Sequence, residues 1–99
     1  MDTTVNFEGK VCTVTISGRI DTLTAPELEN IFNDIEPKAD KIIFDMTEVQ
    51  YISSAGLRAL IVAHRAMSNK DGLILKGLNK NVKTIITLTG FDKQLNIEE

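Results

Sequence analysis

Two neighbouring serines, Ser53 and Ser54, and one histidine, His64, are the side chains from which a nucleophilic site could be assembled. A serine nucleophile needs a histidine base within hydrogen-bonding reach of its hydroxyl group. The segment YISSAGLRALIVAHRAM, residues 51–67, has the composition of a helix that begins near the serines. Such a helix would separate Ser54 from His64 by roughly 15 Å, at about 1.5 Å per residue. The two side chains therefore cannot meet, and we expect His64 to have a structural role.

Two aspartates offer a second kind of chemistry, because Asp21 follows a predicted strand in GRID and Asp45 ends another in KIIFD. Carboxylates at the ends of adjacent strands can bind a cation or act as general acid and base, although such residues are more often caps and turn formers. The sequence has no glycine-rich phosphate-binding loop, and its one cysteine and one histidine cannot make a zinc site. We therefore predict a protein that is not an enzyme and needs no cofactor or metal.

The composition is that of a soluble globular domain, with 42% hydrophobic and 25% charged residues in a chain of 99. A net charge of -3, with the 11 Lys and Arg residues spread along the chain, argues against a nucleic-acid surface. Neither a signal peptide nor an apolar run near the roughly 20 residues of a membrane span is visible. The single cysteine, Cys12, fits a reducing compartment. We expect one domain over residues 1–99, in the cytoplasm and without a membrane partner.

Hydrophobic periodicity predicts the elements that would position these side chains. The stretch TTVNFEGKVCTVTISG predicts a β-hairpin that turns at residues 8–10, with Gly18 closing its second strand. In TAPELENIFNDIE, apolar residues at spacings of three and four predict a helix. Thr24 is a candidate cap for that helix, Pro26 suits its first turn, and Pro37 should end it.

The second half of the chain continues this alternation. KIIFDM and LILKGL are short, nearly all-apolar runs, typical of parallel strands that are covered on both faces. Helices are predicted from Ser54 to about Asn69 and from Lys80 to Leu88, although Ile-Ile-Thr in the latter also suits a strand. KQLNI suits a final edge strand. The predicted order is β-β-α-β-α-β-α(-β), an α/β fold with a partly parallel sheet and right-handed crossovers.

The serine pair at the head of the second helix has two interpretations. Ser53 as N-cap would leave Ser54 as the first helical residue, at the positive end of the helix dipole. Such a position stabilises an anion, and a phosphate on Ser54 would add about -1.5 to -2 charges. Ordinary capping explains most serine pairs of this kind. Gly56, which lowers helix propensity in the first turn, hints instead at close approach by backbone or a partner.

A helical wheel at about 100° per residue separates two faces of this helix. Ala59, Leu60 and Ala63 fall on the apolar face, whereas Ser54, Arg58 and Arg65 fall on the opposite side. Ile61 lies among these polar residues, so we predict that it is exposed. The wheel therefore predicts a docking face for a partner protein, made of Ser54, Arg58, Ile61 and Arg65.

Three stretches, SGRIDTLTAPELE, KIIFDMTEVQYISSAGLRAL and the later LTG, resemble the STAS domain, and in particular the stand-alone bacterial anti-sigma factor antagonists. The resemblance covers nearly the whole chain. It implies a mixed sheet of four or five strands with helices packed against it. It also implies a binding switch: the unphosphorylated antagonist binds an anti-sigma factor serine kinase of the HATPase type and so frees a sigma factor. The kinase then inactivates the antagonist by phosphorylating one serine, and a PP2C-type phosphatase restores it.

Aligned with the family motif Asp-Ser-Ser/Thr/Ala-Gly-Leu, this chain has Ser53, Ser54, Ala55, Gly56 and Leu57. The resemblance thus implies that Ser54 is the phosphoacceptor, with Asp21 as the acidic residue of the family's upstream Gly-x-Leu-Asp segment. Ser53 stands where the best-known antagonists have aspartate, which makes it a second candidate acceptor. The helical wheel and the resemblance together predict this partner surface: Asp21, Thr22, Thr24, Ser53, Ser54, Gly56, Leu57, Arg58, Ile61 and Arg65.

Two alternatives remain at the level of the sequence. The chain could be a STAS interaction module of another system, such as secretion control, a stressosome-like assembly or a lipid-transport complex. It could also bind or hydrolyse nucleotides through Asp21 and Asp45, which calorimetry with ATP, GTP and Mg²⁺ would test.

Overall fold

The computed structural model of the chain describes residues 1–98 and contains one mixed sheet of five strands. The strands lie side by side in chain order, β1-β2-β3-β4-β5. β1 runs antiparallel to β2, and all the later pairs are parallel. The strand bounds are β1 Asp2–Glu8, β2 Val11–Ile20, β3 Lys41–Ile52, β4 Gly72–Lys76 and β5 Ile97–Glu98.

Three α-helices connect the parallel strands: α1 Ala25–Ile35, α2 Ser54–Ala66 and α3 Lys80–Thr89. Short 3-10 turns, Glu36–Lys38 and Phe91–Lys93, follow α1 and α3. This arrangement confirms the predicted element order, including the final strand, and the α/β fold class. No helix among residues 1–98 is long and apolar enough to cross a membrane.

The predicted hairpin is confirmed, because Glu8 pairs with Val11 across a two-residue turn in which Gly9 has a φ of 62°. The prediction that Gly18 closes β2 is wrong, since the strand continues to Ile20. The register against β3 shifts on either side of Gly18, and Gly18 itself has a φ of 94°. A glycine at a bulge bends the strand without ending it. The continuation carries Ile20 to the edge of the sheet where α2 begins.

Only one face of the sheet is buried, so the prediction of strands covered on both faces is wrong. In β3, Ile42 and Phe44 are fully buried, whereas Ile43 and Asp45 between them remain partly exposed. β2 and β4 show the same alternation, which is typical of a sheet with helices on one side. The largest buried side chains of this single core are Ile16, Ile20, Leu28, Ile42, Phe44, Met46, Ile52, Leu57, Leu60, Met67, Leu73 and Leu75.

The start of α2 lies unusually close to the ends of β2 and β3. The Ser53 amide donates a hydrogen bond to the Ile20 carbonyl oxygen, 2.8 Å away. A methyl group on Gly56 would lie 2.7 Å from Ile20 Cγ2, 2.8 Å from Ile52 Cγ1 and 2.9 Å from the Ile20 carbonyl oxygen. Glycine at this position is therefore a packing requirement. The hint of close backbone approach was correct, and the approaching group is the chain's own β2.

We predict that Gly56→Ala destabilises the domain, although alanine is favoured over glycine by about 1 kcal/mol inside an ordinary helix. The added methyl must displace a main-chain oxygen as well as side chains, so we expect a loss of about 1–3 kcal/mol in the free energy of unfolding, the usual cost of overpacking. Urea denaturation would measure it. Ser54→Ala, at an exposed position of the same turn, is the control and should change stability by less than about 0.5 kcal/mol. A Gly56→Ala variant more stable than the wild type would contradict this account of the packing.

Candidate functional site

The two serines at the head of α2 have different environments. Ser53 is the N-cap: it is half-buried, and its hydroxyl oxygen accepts a hydrogen bond from the Gly56 amide at 3.3 Å. Ser54 is the first helical residue and is exposed. Within residues 1–98 its hydroxyl group makes no hydrogen bond. The capping role predicted for Ser53 is confirmed, and Ser54 offers the free hydroxyl, beside helix amides that favour a negative charge.

A turn of four residues, 21–24, lies next to this helix start because Asp21 directly follows Ile20. The Asp21 carboxylate accepts hydrogen bonds from the Leu23 amide at 3.0 Å and the Thr24 amide at 3.2 Å. In return, the Thr24 hydroxyl accepts a bond from the Asp21 amide at 2.8 Å. It also donates toward the Arg19 carbonyl oxygen at 2.9 Å and toward the Asp21 carboxylate at 3.3 Å. Asp21 therefore shapes the turn from within.

The hydroxyl of Thr24 does not cap α1, so that prediction is wrong. Thr24 is the N-cap residue by position, but its side chain makes no capping bond. Its backbone is in the helical region, with φ -99° and ψ -19°, instead of the extended conformation that directs a cap hydroxyl toward the helix amides. The hydroxyl is occupied by the turn instead.

The charge on Asp21 is favoured by its surroundings. Partial desolvation raises the pKa of this carboxyl, but the hydrogen bonds from Thr24 and Leu23, with the nearby Arg19 guanidinium, outweigh it and leave the pKa below its ordinary value. Arg19 Nε lies 3.7 Å from the carboxylate, and its guanidinium lies 4.4 Å from the centre of the Tyr51 ring. The turn therefore holds an ionised carboxylate, paired with Arg19, one residue beyond the Ile20 carbonyl that binds the Ser53 amide.

The same turn exposes a leucine that the sequence analysis did not select. Leu23 is 87% exposed, the highest fraction among the large apolar side chains of residues 1–98. Thr22 beside it is also exposed. Leu23 is thus an apolar side chain held in solvent by a turn that its own hydrogen bonds stabilise. The signal in the sequence was weak, since TLTA reads as part of a helix start.

A groove with a volume of about 310 Å³ runs along the outer side of α2, between that helix and the 3-10 turn after α3. Arg65 spans it at one end, donating a hydrogen bond of 3.4 Å to the Gln94 side chain. Arg58 is exposed and makes no ion pair or hydrogen bond within the described part of the chain. The lining residues are Ser54, Arg58, Ile61, Val62, Arg65, Phe91 and Gln94.

The predicted docking face needs one correction, because Ile61 is only 6% exposed. The helical wheel placed it among polar residues, but Ile61 contributes to the core and only borders the groove. Its neighbour Val62 is 57% exposed and takes the apolar position on the outer surface. The face that the structure brings together, called the docking face below, consists of Ser54, Arg58, Val62 and Arg65.

Two further residues of the predicted partner surface lie inside the molecule. Leu57 is 1% exposed and belongs to the core, and Gly56 is buried against β2 and β3. They position the site and offer a partner no side chain. On the helical wheel Gly56 falls on the apolar face and Leu57 on its flank, and it was the family motif that brought both into the predicted partner surface.

The structure does not bring Asp21 and Asp45 together at adjacent strand ends, as the nucleotide-binding alternative required. Asp45 does not end β3, which extends seven residues further, to Ile52. The Asp45 carboxylate accepts bonds from the Thr47 hydroxyl at 2.7 Å and the Thr47 amide at 3.1 Å, and these bonds lower its pKa. At about 3.3 Å per residue, the two aspartates lie roughly 20 Å or more apart along the sheet. Among residues 1–98, no group of acidic, histidine or cysteine side chains could hold a metal ion.

Comparison with known proteins identifies the fold, since a model of the STAS domain matches residues 2–99. The chain belongs to the STAS domain family. It is 27% identical over 85 residues to an anti-sigma-B factor antagonist of Listeria monocytogenes, covering 84% of this chain and 75% of that protein.

Solved structures agree with this assignment. An anti-sigma factor antagonist from Mycobacterium paratuberculosis, 27% identical, has a TM-score of 0.87 over 97% of this STAS chain and 83% of that one. The Bacillus cell fate determinant SpoIIAA in its phosphorylated form has a TM-score of 0.74 at 11% identity, over 99% of this chain and 92% of that one. At that identity the second likeness is one of fold alone.

We predict that Thr24→Val raises the pKa of Asp21, because the 3.3 Å hydrogen bond that the Thr24 hydroxyl donates to the carboxylate is lost. A folded-state pKa below the unfolded value of about 3.9 stabilises the fold above that pH, and the stabilisation is lost as the pH falls through the folded pKa. Thr24→Val should therefore lose less stability than the wild type as the pH falls below about 4.

Carboxyl ¹³C chemical shifts, followed by NMR against pH, would measure the pKa of Asp21 directly. Thr22→Val, which changes an exposed residue of the same turn, is the matched control and should leave this pKa unaltered. An equal pKa in the wild type and in Thr24→Val would show that the hydroxyl does not stabilise the carboxylate.

Proposed function

We propose that this STAS protein is an anti-sigma factor antagonist: unphosphorylated, it binds an anti-sigma factor serine kinase of the HATPase type, so that a sigma factor is released. Phosphorylation of Ser54 would end this binding, and a PP2C-type phosphatase would restore it. The names of the Listeria and Mycobacterium relatives support the class of function. The observation that carries the switch is the free, exposed hydroxyl of Ser54 at the head of α2, next to the groove.

Exposure and hydrogen bonding favour Ser54 over Ser53 as the phosphoacceptor. A kinase must place the serine oxygen in line with the γ-phosphorus of ATP, which requires an accessible hydroxyl. Ser53 is half-buried and already bonded to the Gly56 amide, whereas Ser54 is exposed. In the transfer, the Ser54 oxygen forms a bond to the γ-phosphorus, its proton is lost and ADP leaves. In the reverse step, water attacks the phosphorus and the serine hydroxyl is regenerated with inorganic phosphate.

The docking face has the composition of a recognition surface for an acidic partner segment. Arg58 and Arg65 supply two positive charges, although the protein carries a net charge of -3. Val62 supplies an exposed apolar contact between them, and Leu23 supplies another on the adjacent turn. Arginines around an apolar contact are common where a partner binds specifically.

A phosphate on Ser54 would act on this surface through charge. It would bring about -1.5 to -2 charges to a face that attracts anions, and binding would then require that charge to be desolvated or placed against acidic groups of the partner. Each 1.4 kcal/mol of such cost lowers affinity about tenfold. Because Ser54 is exposed and makes no internal hydrogen bond, the domain itself need not refold.

We expect Ser54→Ala to bind the anti-sigma kinase with nearly wild-type affinity and Ser54→Asp to bind at least about tenfold more weakly, as a cost of 1.4 kcal/mol implies. Isothermal titration calorimetry with the purified kinase would measure both. Ser68→Asp, which adds the same charge near the other end of α2, is the control and should bind normally. Equal affinities of Ser54→Ala and Ser54→Asp would refute the switch.

Site mapping distinguishes the two serines. After incubation with the kinase and ATP, intact-mass spectrometry should show one added phosphate on the wild type and on Ser53→Ala, and none on Ser54→Ala. The Ser53→Ala variant should lose about 0.5–2 kcal/mol of stability with its cap, so its fold is checked by circular dichroism first. Addition of a phosphate to Ser54→Ala would instead identify Ser53 as the phosphoacceptor.

The corrected docking face gives a second binding test. Val62→Asp should weaken kinase binding by more than about tenfold while leaving the melting temperature nearly unchanged, because Val62 lies outside the core. Leu88→Asp, at an exposed leucine on α3 that does not line the groove, is the matched control. Ile61→Ala should instead cost about 2–5 kcal/mol of stability, as for other buried aliphatic residues. Unchanged binding by Val62→Asp would exclude this face as the interface.

A further inference from the structure

We propose that Arg58 binds the phosphate group carried by Ser54, so that phosphorylation withdraws this arginine from the partner as well as adding negative charge. The inference rests on the proposed function in one respect only, which is that Ser54 is the residue that becomes phosphorylated. The inference is based on the positions of Ser54 and Arg58 in α2 and in the groove. The family motif does not predict this contact, because Arg58 follows the motif.

The helix brings the two residues together. Ser54 and Arg58 are four residues apart in α2, one turn, and both line the same groove. Side chains at this spacing have Cβ atoms about 5–6 Å apart, and an acid placed N-terminal to a base is the more favourable order. The phosphate of a phosphoserine extends further from the backbone than the carboxylate of an aspartate at the same position. Arginine can donate two parallel hydrogen bonds to phosphate oxygens.

Of the two arginines that line the groove, Arg58 is better placed than Arg65 to bind a phosphate on Ser54. Arg58 has no partner within residues 1–98, so its guanidinium group is available without the loss of an existing ion pair. Arg65 is held by the Gln94 side chain and lies 11 residues from Ser54, roughly 16 Å along the helix axis. Within the described chain, no carboxylate lines the groove to compete for Arg58. The helix amides next to Ser54 add a favourable potential of their own.

This contact gives the switch two effects at once. In the unphosphorylated protein, Arg58 is free to meet an acidic group of the partner. In the phosphorylated protein, the guanidinium folds back toward residue 54 and the docking face loses one positive charge in addition to gaining negative ones. A phosphate bound in this way is also held close to the helix surface.

Phosphoserine placed at position 54 by genetic encoding tests the contact without a kinase. Its second ionisation, ordinarily near pH 6, can be followed by ³¹P NMR. A bound guanidinium favours the dianion, so the pKa of the phosphate should be lower in the otherwise wild-type protein than in Arg58→Gln. We expect a difference of about 0.5 unit or more, roughly threefold in proton affinity. Arg65→Gln is the matched control and should resemble the wild type, and Arg58→Lys should lie between the wild type and Arg58→Gln.

Equal phosphate pKa values in the wild type and Arg58→Gln would overturn the inference. Because Arg58 is exposed, the variant should fold normally, which a circular dichroism melt of the unphosphorylated protein checks. The phosphate pKa is measured without the kinase, so failure of the Arg58 contact and failure of the proposed function can be told apart. A pKa difference together with equal kinase binding by the phosphorylated and unphosphorylated proteins would support the Arg58 contact and refute the switch. A pKa difference together with lost binding would support both.

Discussion

The close contact between the start of α2 and the end of β2 is the constraint on which the site depends. The Ile20 carbonyl oxygen accepts a hydrogen bond from the Ser53 amide, and Gly56 leaves the space in which Ile20 and Ile52 pack. This contact sets the helix axis, and therefore the direction in which Ser54 points. It also brings the hydrogen-bonded turn of residues 21–24 beside the serines, because that turn begins directly after Ile20.

Around this contact, the residues that hold α2 in place are different from those that are exposed to solvent. Ser53 caps the helix and Gly56 and Leu57 are buried beneath it, whereas Ser54, Arg58 and Val62 are exposed. A charge added at Ser54 would therefore lie on a helix that is capped by Ser53 and packed closely against β2 and β3 at Gly56. The proposed phosphate on Ser54 would therefore change recognition through electrostatics and desolvation, without a second conformation of the fold.

Local chemistry made much of this predictable. The order of strands and helices, the Gly9-Lys10 turn and the Ser53 cap depend on neighbours in sequence, and the structure confirms all three. The errors arose where distant segments decide. Ile61 is buried on a side of α2 where Phe91 and Gln94 line the same groove, and a helical wheel cannot represent residues so distant in sequence. Asp45 was misplaced because β3 continues through the exposed pair Thr47 and Glu48 to a length of 12 residues.

The one-sided burial of the sheet leaves a second surface that the fold does not use. Thr13, Ile43 and Ile74 lie side by side across β2, β3 and β4 on the face away from the helices, and all three are only partly covered. Substitutions there, like those at Arg58 or Val62, leave the single core untouched. In a protein built in this way, substitutions of outer residues can change the binding partner while the core and the fold stay the same.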